Sequence, residues 1–169
     1  YSSISHAGYM LIALMAANEV TNGAVLFYSI AYTLASLLAF AVVAILQQKS
    51  GSDEVSVFNG LSKSSPLMSI TFAVAMLSLA GIPPTAGFFA KFYVFSAAIG
   101  DGWVWITVLA IINSFISVYY YFAPVIASYM KKGNEEGIVL ATPVKVLLAI
   151  IALLTLLIGL LPGSLSYLI

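Results

Sequence analysis

Gly81-Ile82-Pro83-Pro84-Thr85-Ala86-Gly87 interrupts an otherwise apolar stretch, 67–99, that is 33 residues long. As one straight helix this stretch would measure roughly 50 Å at about 1.5 Å per residue. A bilayer core is about 30 Å thick, and a tilt of about 20° does not absorb the difference. The interruption resolves the excess. Two prolines remove two backbone donors and disfavour α geometry at Ile82 and Pro83, while a glycine on either side lets the chain turn. The pieces before and after it, 67–81 and 88–99, are each too short to span alone. The stretch therefore reads as one discontinuous crossing, interrupted at a depth where irregular backbone survives only if protein or a water-lined cavity satisfies it. Broken helices of this kind mark ion and substrate sites in transporters. A helical hairpin, or a kink used only for packing, is the alternative.

The membrane setting rests on composition. Hydrophobic residues make up 62% of the chain and charged residues 7%, against about 25% charged in an ordinary soluble domain. The expected fold class is an all-α integral membrane protein, a transmembrane helix bundle with one discontinuous helix. Spans are expected at 4–17, 23–46, 67–81 with 88–99, 103–130 and 144–161, forming a single membrane domain over 1–169. The chain opens at Tyr1 without methionine on a helix already under way, so it reads as a fragment of a longer protein, without a processed targeting signal. There is no cysteine, the net charge is zero and all six basic residues are lysine. Disulfides, thiolate metal sites and a nucleic-acid partner are thereby disfavoured.

Lysine placement fixes an orientation. With 67–99 as one crossing, Lys49, Lys63, Lys131 and Lys132 fall in the loops 47–66 and 131–143 on one side, and Lys145 sits at their border. Glu19 and Asp101 occupy the other side. The positive-inside rule makes the lysine loops cytoplasmic. Counting 67–99 as two crossings would split the lysines between both faces.

Lys91 is the one lysine that topology leaves unexplained. It follows the break by a few residues, and its stem is too short to climb to the far interface. An ionisable residue at this depth costs about 2.5–3.5 kcal/mol and is by default a functional candidate. Phe88, Phe89 and Phe92 are expected to supply its low-dielectric surroundings. His6 has two readings: a packing histidine bonded to Ser2 or Tyr9, its i−4 and i+3 neighbours, or a proton relay. Two hydroxyl-rich stripes accompany them, Ser29, Tyr32, Thr33 and Ser36 in the second span, and Asn113, Ser117, Tyr120 and Tyr121 in the fourth. Such residues more often hold helices together than conduct. Combined with His6, Lys91 and the break at Gly81, Pro83, Pro84 and Gly87, they suit a polar file through a bundle. No acid lies within a span and no nucleophile has a base nearby in sequence, so bond-making chemistry is not expected.

Tyr1-Ser2-Ser3-Ile4-Ser5-His6-Ala7-Gly8-Tyr9, then Leu79-Ala80-Gly81-Ile82-Pro83-Pro84-Thr85-Ala86-Gly87-Phe88 and Lys91-Phe92-Tyr93, resemble the second half of the antiporter-like membrane subunits of respiratory complex I, NADH:quinone oxidoreductase, and most nearly the subunit N type. The resemblance covers essentially the whole chain. It implies a fourteen-helix subunit of two inverted five-helix repeats, with helices ten to fourteen here. It implies that Lys91 in the broken twelfth helix and His6 in the tenth serve proton translocation in the distal half-channel. It also implies a bacterial inner membrane and, as partners, the other membrane subunits of complex I, the lipid bilayer, protons and internal water. No cofactor is expected in this fragment, since NADH, flavin, iron–sulfur clusters and quinone would belong to other subunits. One departure stands out: sister subunits carry a lysine or histidine in the eleventh helix, where this chain has only hydroxyls. A multisubunit cation/proton antiporter and a non-pumping structural subunit are the competing functions.

Overall fold

A computed structural model of the chain describes residues 2–16, 20–133 and 137–163. Among the described residues there are seven α-helices, one short 3₁₀ turn and no strand. The helices are α1 (Ser2–Ala16), α2 (Thr21–Ser50), α3 (Leu61–Ser64), α4 (Pro66–Ala80), α5 (Ala86–Gly100), α6 (Val104–Met130) and α7 (Thr142–Leu160). α2, α6 and α7 are each long and apolar enough to cross a membrane, whereas α1, α4 and α5 are shorter apolar helices. The longest, α2, runs 30 residues. It extends beyond 23–46 at both ends, carrying Gln47, Gln48 and Lys49 out on its last turn.

The ends of these helices follow local chemistry. Pro66 opens α4 at a position where its missing N–H costs nothing. α4 closes in a Schellman turn, with Gly81 at φ +80° and the Ile82 N–H reaching back to the Leu77 carbonyl at 3.0 Å. α5 closes the same way, Trp103 N–H donating to Ala98 O at 2.9 Å and Gly102 at φ +87°. Between the two, Pro83 and Pro84 are joined by a cis peptide bond, and no helical ladder runs through residues 81–85. The chain thus contains one interrupted helix, α4–α5.

α2 is the hub of the bundle, in contact with α1, α4, α5 and α7, while α6 lies against α4, α5 and α1. Apolar packing divides into two cores. One joins the C-terminal half of α2 to α4, α6 and α7 through residues such as Leu38, Val42, Met68, Phe72 and Leu148. The other joins α1 and the N-terminal half of α2 to α5 through Tyr9, Phe27, Tyr28, Val94 and Phe95. Each half of the broken helix therefore has its own core, and the break lies between them. The loop expected at 47–66 is itself folded. Its 3₁₀ turn Val55–Phe58 and α3 bury Phe58 and Leu61, and the Gly60 N–H donates to Ala127 O at the end of α6.

Candidate functional site: the helix break and two buried ionisable residues

Ending α4 at Ala80 leaves carbonyls at its C-terminus without intrahelical partners, and starting α5 at Ala86 leaves N–H groups without acceptors. The two halves answer each other. The Gly87 N–H, in the first turn of α5, donates to Ser78 Oγ on α4 at 3.1 Å. The Lys91 ammonium, one turn further along α5, donates to Ala80 O at 2.8 Å and to Ser114 Oγ on α6 at 2.7 Å. A cation is thus set against the carbonyl end of a helix, where the peptide dipoles favour positive charge. Lys91 is only 6% exposed.

Two glycines allow this close approach. A Cβ on Gly87 would collide with the Ser78 backbone carbonyl, and a Cβ on Gly159 of α7 would collide with the Pro84 carbonyl and the Thr85–Ala86 backbone. α7 therefore seats directly on the break. At Gly81 a Cβ would stand 2.8 Å from Lys91 Cδ, so the glycine that turns the chain also makes room for the lysine stem. Above the ammonium lies an apolar cavity of about 390 Å³ lined by Pro83, Phe88, Lys91, Phe92, Phe95 and Ser114, among others. Phe88 and Phe92 belong to these surroundings. Phe89 does not: it turns away to pack beside Tyr93 in the α1–α2–α5 core.

His6 is 4% exposed and is held from two other helices. Its Nδ1 is 2.6 Å from the Tyr28 hydroxyl on α2 and its Nε2 is 2.9 Å from the Tyr121 hydroxyl on α6. Neither neighbour on its own helix is its hydrogen-bond partner. Ser2 instead bonds the far side of Tyr121, and Tyr9 meets the imidazole as a ring contact. Tyr32 lies against the imidazole with centroids 4.6 Å apart and the rings tilted by 30°. A void of about 10 Å³ is lined by His6 and Tyr32 together with Ser78 and Gly87 from beside the break.

The hydroxyl stripes separate into residues that line space and residues that do not. Tyr32 and Ser36, with Ser2, Ser3, Tyr120 and Tyr121, line a cavity of about 350 Å³ beside the His6 group. Ser29 turns its hydroxyl back to Val25 O at 2.8 Å, one turn earlier on α2, and lies 3.6 Å from the Met10 sulfur on α1. Thr33 lies on the exposed face of α2. Ser117 is buried but likewise satisfied by its own helix, donating to Ser114 O at 2.6 Å. Asn113 donates from Nδ2 to the Tyr9 hydroxyl at 2.9 Å. Of the α2 residues expected on a polar path, Tyr32 and Ser36 thus border space, whereas Ser29 bonds within its own helix, as a serine can on the i−4 carbonyl, and Thr33 faces outward. Tyr28, Ser78, Ser114 and Gly159 are the residues that sequence reasoning missed. Ser114 was within reach, being three residues before Ser117 on the same helix face. Gly159 gave no signal beyond its being a glycine in an apolar helix.

No group of three His, Cys, Asp or Glu side chains is placed to hold a metal among the described residues. What the site offers is two buried basic groups on neutral partners, hydroxyl-lined space and an irregular backbone.

Residues 1–117 match the family described as NADH:quinone oxidoreductase/Mrp antiporter, TM. NADH-quinone oxidoreductase subunit N of Bdellovibrio bacteriovorus is 46% identical over 143 residues, covering 80% of this chain and 29% of the relative. The subunit N of Dehalococcoides mccartyi is 39% identical over 175 residues, covering 100% of this chain and 36% of the relative. The chain thus spans about a third of the length of these curated relatives. Among solved structures, respiratory complex I from Thermus thermophilus with bound aureothin superposes with a TM-score of 0.82 at 35% identity, covering 96% of this chain and 37% of that one. The Mrp complex from Dietzia sp. DQ12-45-1b superposes at 0.77 with 18% identity, over 99% of this chain and 39% of that one, a likeness of fold alone. With the broken helix, its buried lysine and the apolar bundle around them, these matches place the chain in the NADH:quinone oxidoreductase/Mrp antiporter transmembrane family.

Proposed function

We propose that this chain is the proton-translocating part of a subunit N of NADH:quinone oxidoreductase, and that Lys91 is the proton-loading site of its half-channel. One observation carries the proposal. Lys91 is buried with a neutral carbonyl, a neutral hydroxyl and an aromatic ring as its partners, at a helix break beside a cavity. A structural ion pair would have answered the charge with a carboxylate. A charge at the membrane centre costs about 2.5–3.5 kcal/mol, and a helix C-terminus offsets up to about 2 kcal/mol of that in a partly buried setting. The break thus holds the ammonium without a carboxylate, and nearby charge or hydration sets how readily it gives up its proton. His6 belongs to the same path as a relay node between tyrosine hydroxyls, with Tyr32 and Ser36 lining the cavity beside it. NADH, flavin, iron–sulfur clusters and quinone reside in other subunits, and the other membrane subunits of the complex, the lipid and internal water are this chain's surroundings.

In the intact complex reconstituted into liposomes, Lys91→Met should assemble and retain NADH dehydrogenase activity while coupled proton translocation falls sharply. Lys91→Arg keeps the charge but cannot release the proton and should fail in the same way. A normal proton-to-electron ratio in both variants overturns the assignment. The orientation, lysine loops toward the cytoplasm of a bacterial inner membrane, is tested by labelling single cysteines. Ser52→Cys and Lys132→Cys should react from the cytoplasm and Asp101→Cys from the far side. Lys132 and Asp101 are exposed and Ser52 is half-buried in the loop after α2. The multisubunit cation/proton antiporter shares the fold, and sodium-dependent rather than quinone-coupled proton movement by the intact assembly would favour it instead.

A further inference from the structure

The two ionisable groups belong to separate hydrogen-bonded sets. His6 bonds Tyr28 and Tyr121, and Lys91 bonds Ala80 and Ser114. None of these bonds joins one set to the other. Among the described residues, the Tyr9 ring touches both, and its hydroxyl also lies beside Ser114 of the Lys91 set. Tyr9, one turn after His6 on α1, meets the imidazole in a T-shaped contact with centroids 5.9 Å apart. Lys91 Nζ lies over the Tyr9 ring, 5.6 Å from its centroid. The ring is 3% exposed and braced edge-on by Phe95 at 5.5 Å. Its hydroxyl is tethered to α6 by Asn113.

We propose that Tyr9 is a positioning residue that gates passage between His6 and Lys91, with Asn113 as its latch. This rests on the assignment of Lys91 as the proton-loading site. The gate responds to its own cargo. A charged ammonium is attracted to the negative face of the ring and holds it in place, and in a desolvated site that attraction is at its strongest. A neutral amine exerts no such pull, so the ring is released when Lys91 is empty, and water can then bridge the two polar sets. Loading closes the passage and unloading frees it. A file of water open from His6 to Lys91 at all times would instead short-circuit the membrane.

The test uses the intact complex in liposomes, with two readouts: passive proton leak in the absence of NADH, and proton-to-electron ratio during turnover. Tyr9→Ala should raise the leak several-fold and lower the ratio. Tyr9→Phe, which keeps the ring and loses the latch, should restore most of both. Asn113→Leu leaves the ring in place and should give a smaller leak of the same kind, which keeps the proposal open to test if Tyr9→Ala fails to assemble. Adding Lys91→Met to Tyr9→Ala should abolish the leak, because the escaping protons pass through that amine. A wild-type leak and ratio in Tyr9→Ala, or in Asn113→Leu where the alanine variant does not assemble, overturns the gate. So does a leak that survives Lys91→Met, since the lost ring would then have opened only a packing defect. Lys91→Met alone with a normal ratio would overturn the loading site itself, so the two failures are distinguishable.

Discussion

His6 and Lys91 are equally buried bases in one bundle, yet they are built in opposite ways. His6 stands on an uninterrupted helix, both ring nitrogens taken by side-chain hydroxyls from α2 and α6; the ring itself borders a void of only about 10 Å³, the nearby cavity of about 350 Å³ being lined by its neighbours Tyr32 and Tyr121 rather than by His6. The void has room for about one water at most. Lys91 stands just past a helix break, bonded to a backbone carbonyl that the break set free and to a single serine, beside a cavity of about 390 Å³. The first is a fixed node whose geometry is over-determined by three helices. The second has space and an irregular backbone beside it, so its surroundings can rearrange. A side chain that must be loaded and emptied belongs at the second kind of position, and one that must keep a path aligned belongs at the first.

The widest gap between the two regions should open when the break itself is attacked. Gly87→Val forces a branched side chain into the Ser78 carbonyl. Overpacking costs about 1–3 kcal/mol in an ordinary core and occasionally more. Here the obstacle is backbone rather than a movable side chain, so a cost at or above the top of that range is expected. The measurement is thermal inactivation of the purified complex and the amount of subunit retained in it. Gly159→Val, which drives α7 off the break from outside, should behave alike. A variant at either position with wild-type stability would show that the halves are not closely interlocked. By contrast Gly8, on the helix of His6, has open space where its Cβ would be, and Gly8→Ala should be tolerated.

His6→Phe comes next. It removes the imidazole from between two buried hydroxyls, and each hydroxyl left without its partner costs about 1–3 kcal/mol. Tyr121 keeps Ser2, so Tyr28 bears the larger loss. A rigid node should show its failure in stability as well as in transport. The expected outcome is a destabilised complex with a lowered proton-to-electron ratio, less severely coupling-defective than Lys91→Met. Normal pumping by an assembled His6→Phe variant would leave only the packing role.

The contrast between the two sites also marks what the amino-acid order discloses. Two adjacent prolines between glycines, in an apolar stretch too long for a membrane, announce a broken helix through local chain chemistry alone. A lysine eight residues from any loop stands out by its cost. The partners do not stand out, because each comes from another helix at an azimuth set by packing. Hydroxyls on α2 had pointed to a face through Ser29, Tyr32, Thr33 and Ser36. The side that meets His6 runs instead through Tyr28 and Tyr32. The stripe is out of phase by one residue for a physical reason: Ser29 is satisfied by Val25 O on its own helix and by the Met10 sulfur on α1, so its polarity is answered away from His6. A tyrosine hydroxyl extends too far from its own backbone to do the same, which makes the tyrosines the more informative markers.

Ser114→Ala probes the Lys91 side more finely. The ammonium keeps Ala80 O and loses its second partner, a net change of about 1 kcal/mol for a typical hydrogen bond. The complex should remain stable while proton translocation slows by a few-fold, and Ser114→Thr should recover it. A large loss of stability with unaltered coupling would instead place Ser114 beside His6 in the rigid class.

The smallest effects belong to the hydroxyls outside both sites. Ser29→Ala removes a bond that α2 makes to itself and a weak one to the Met10 sulfur on α1, and Thr33→Val changes a residue on the exposed face of this chain. Hydrogen bonds between helices in membranes average only about 0.6 kcal/mol, and substitutions away from special features stay within about 0.5 kcal/mol. Both variants should therefore match wild type in thermal inactivation and in proton-to-electron ratio. Tyr32→Phe, one position from Thr33 but on the face whose ring lies tilted against His6, keeps the ring and loses only its hydroxyl, beside the cavity that Tyr32 lines. If Tyr32→Phe lowers the ratio while Thr33→Val does not, the polar path follows the tyrosine face of α2. The reverse result would return the path to the serine and threonine face and unseat the fixed-node account of His6.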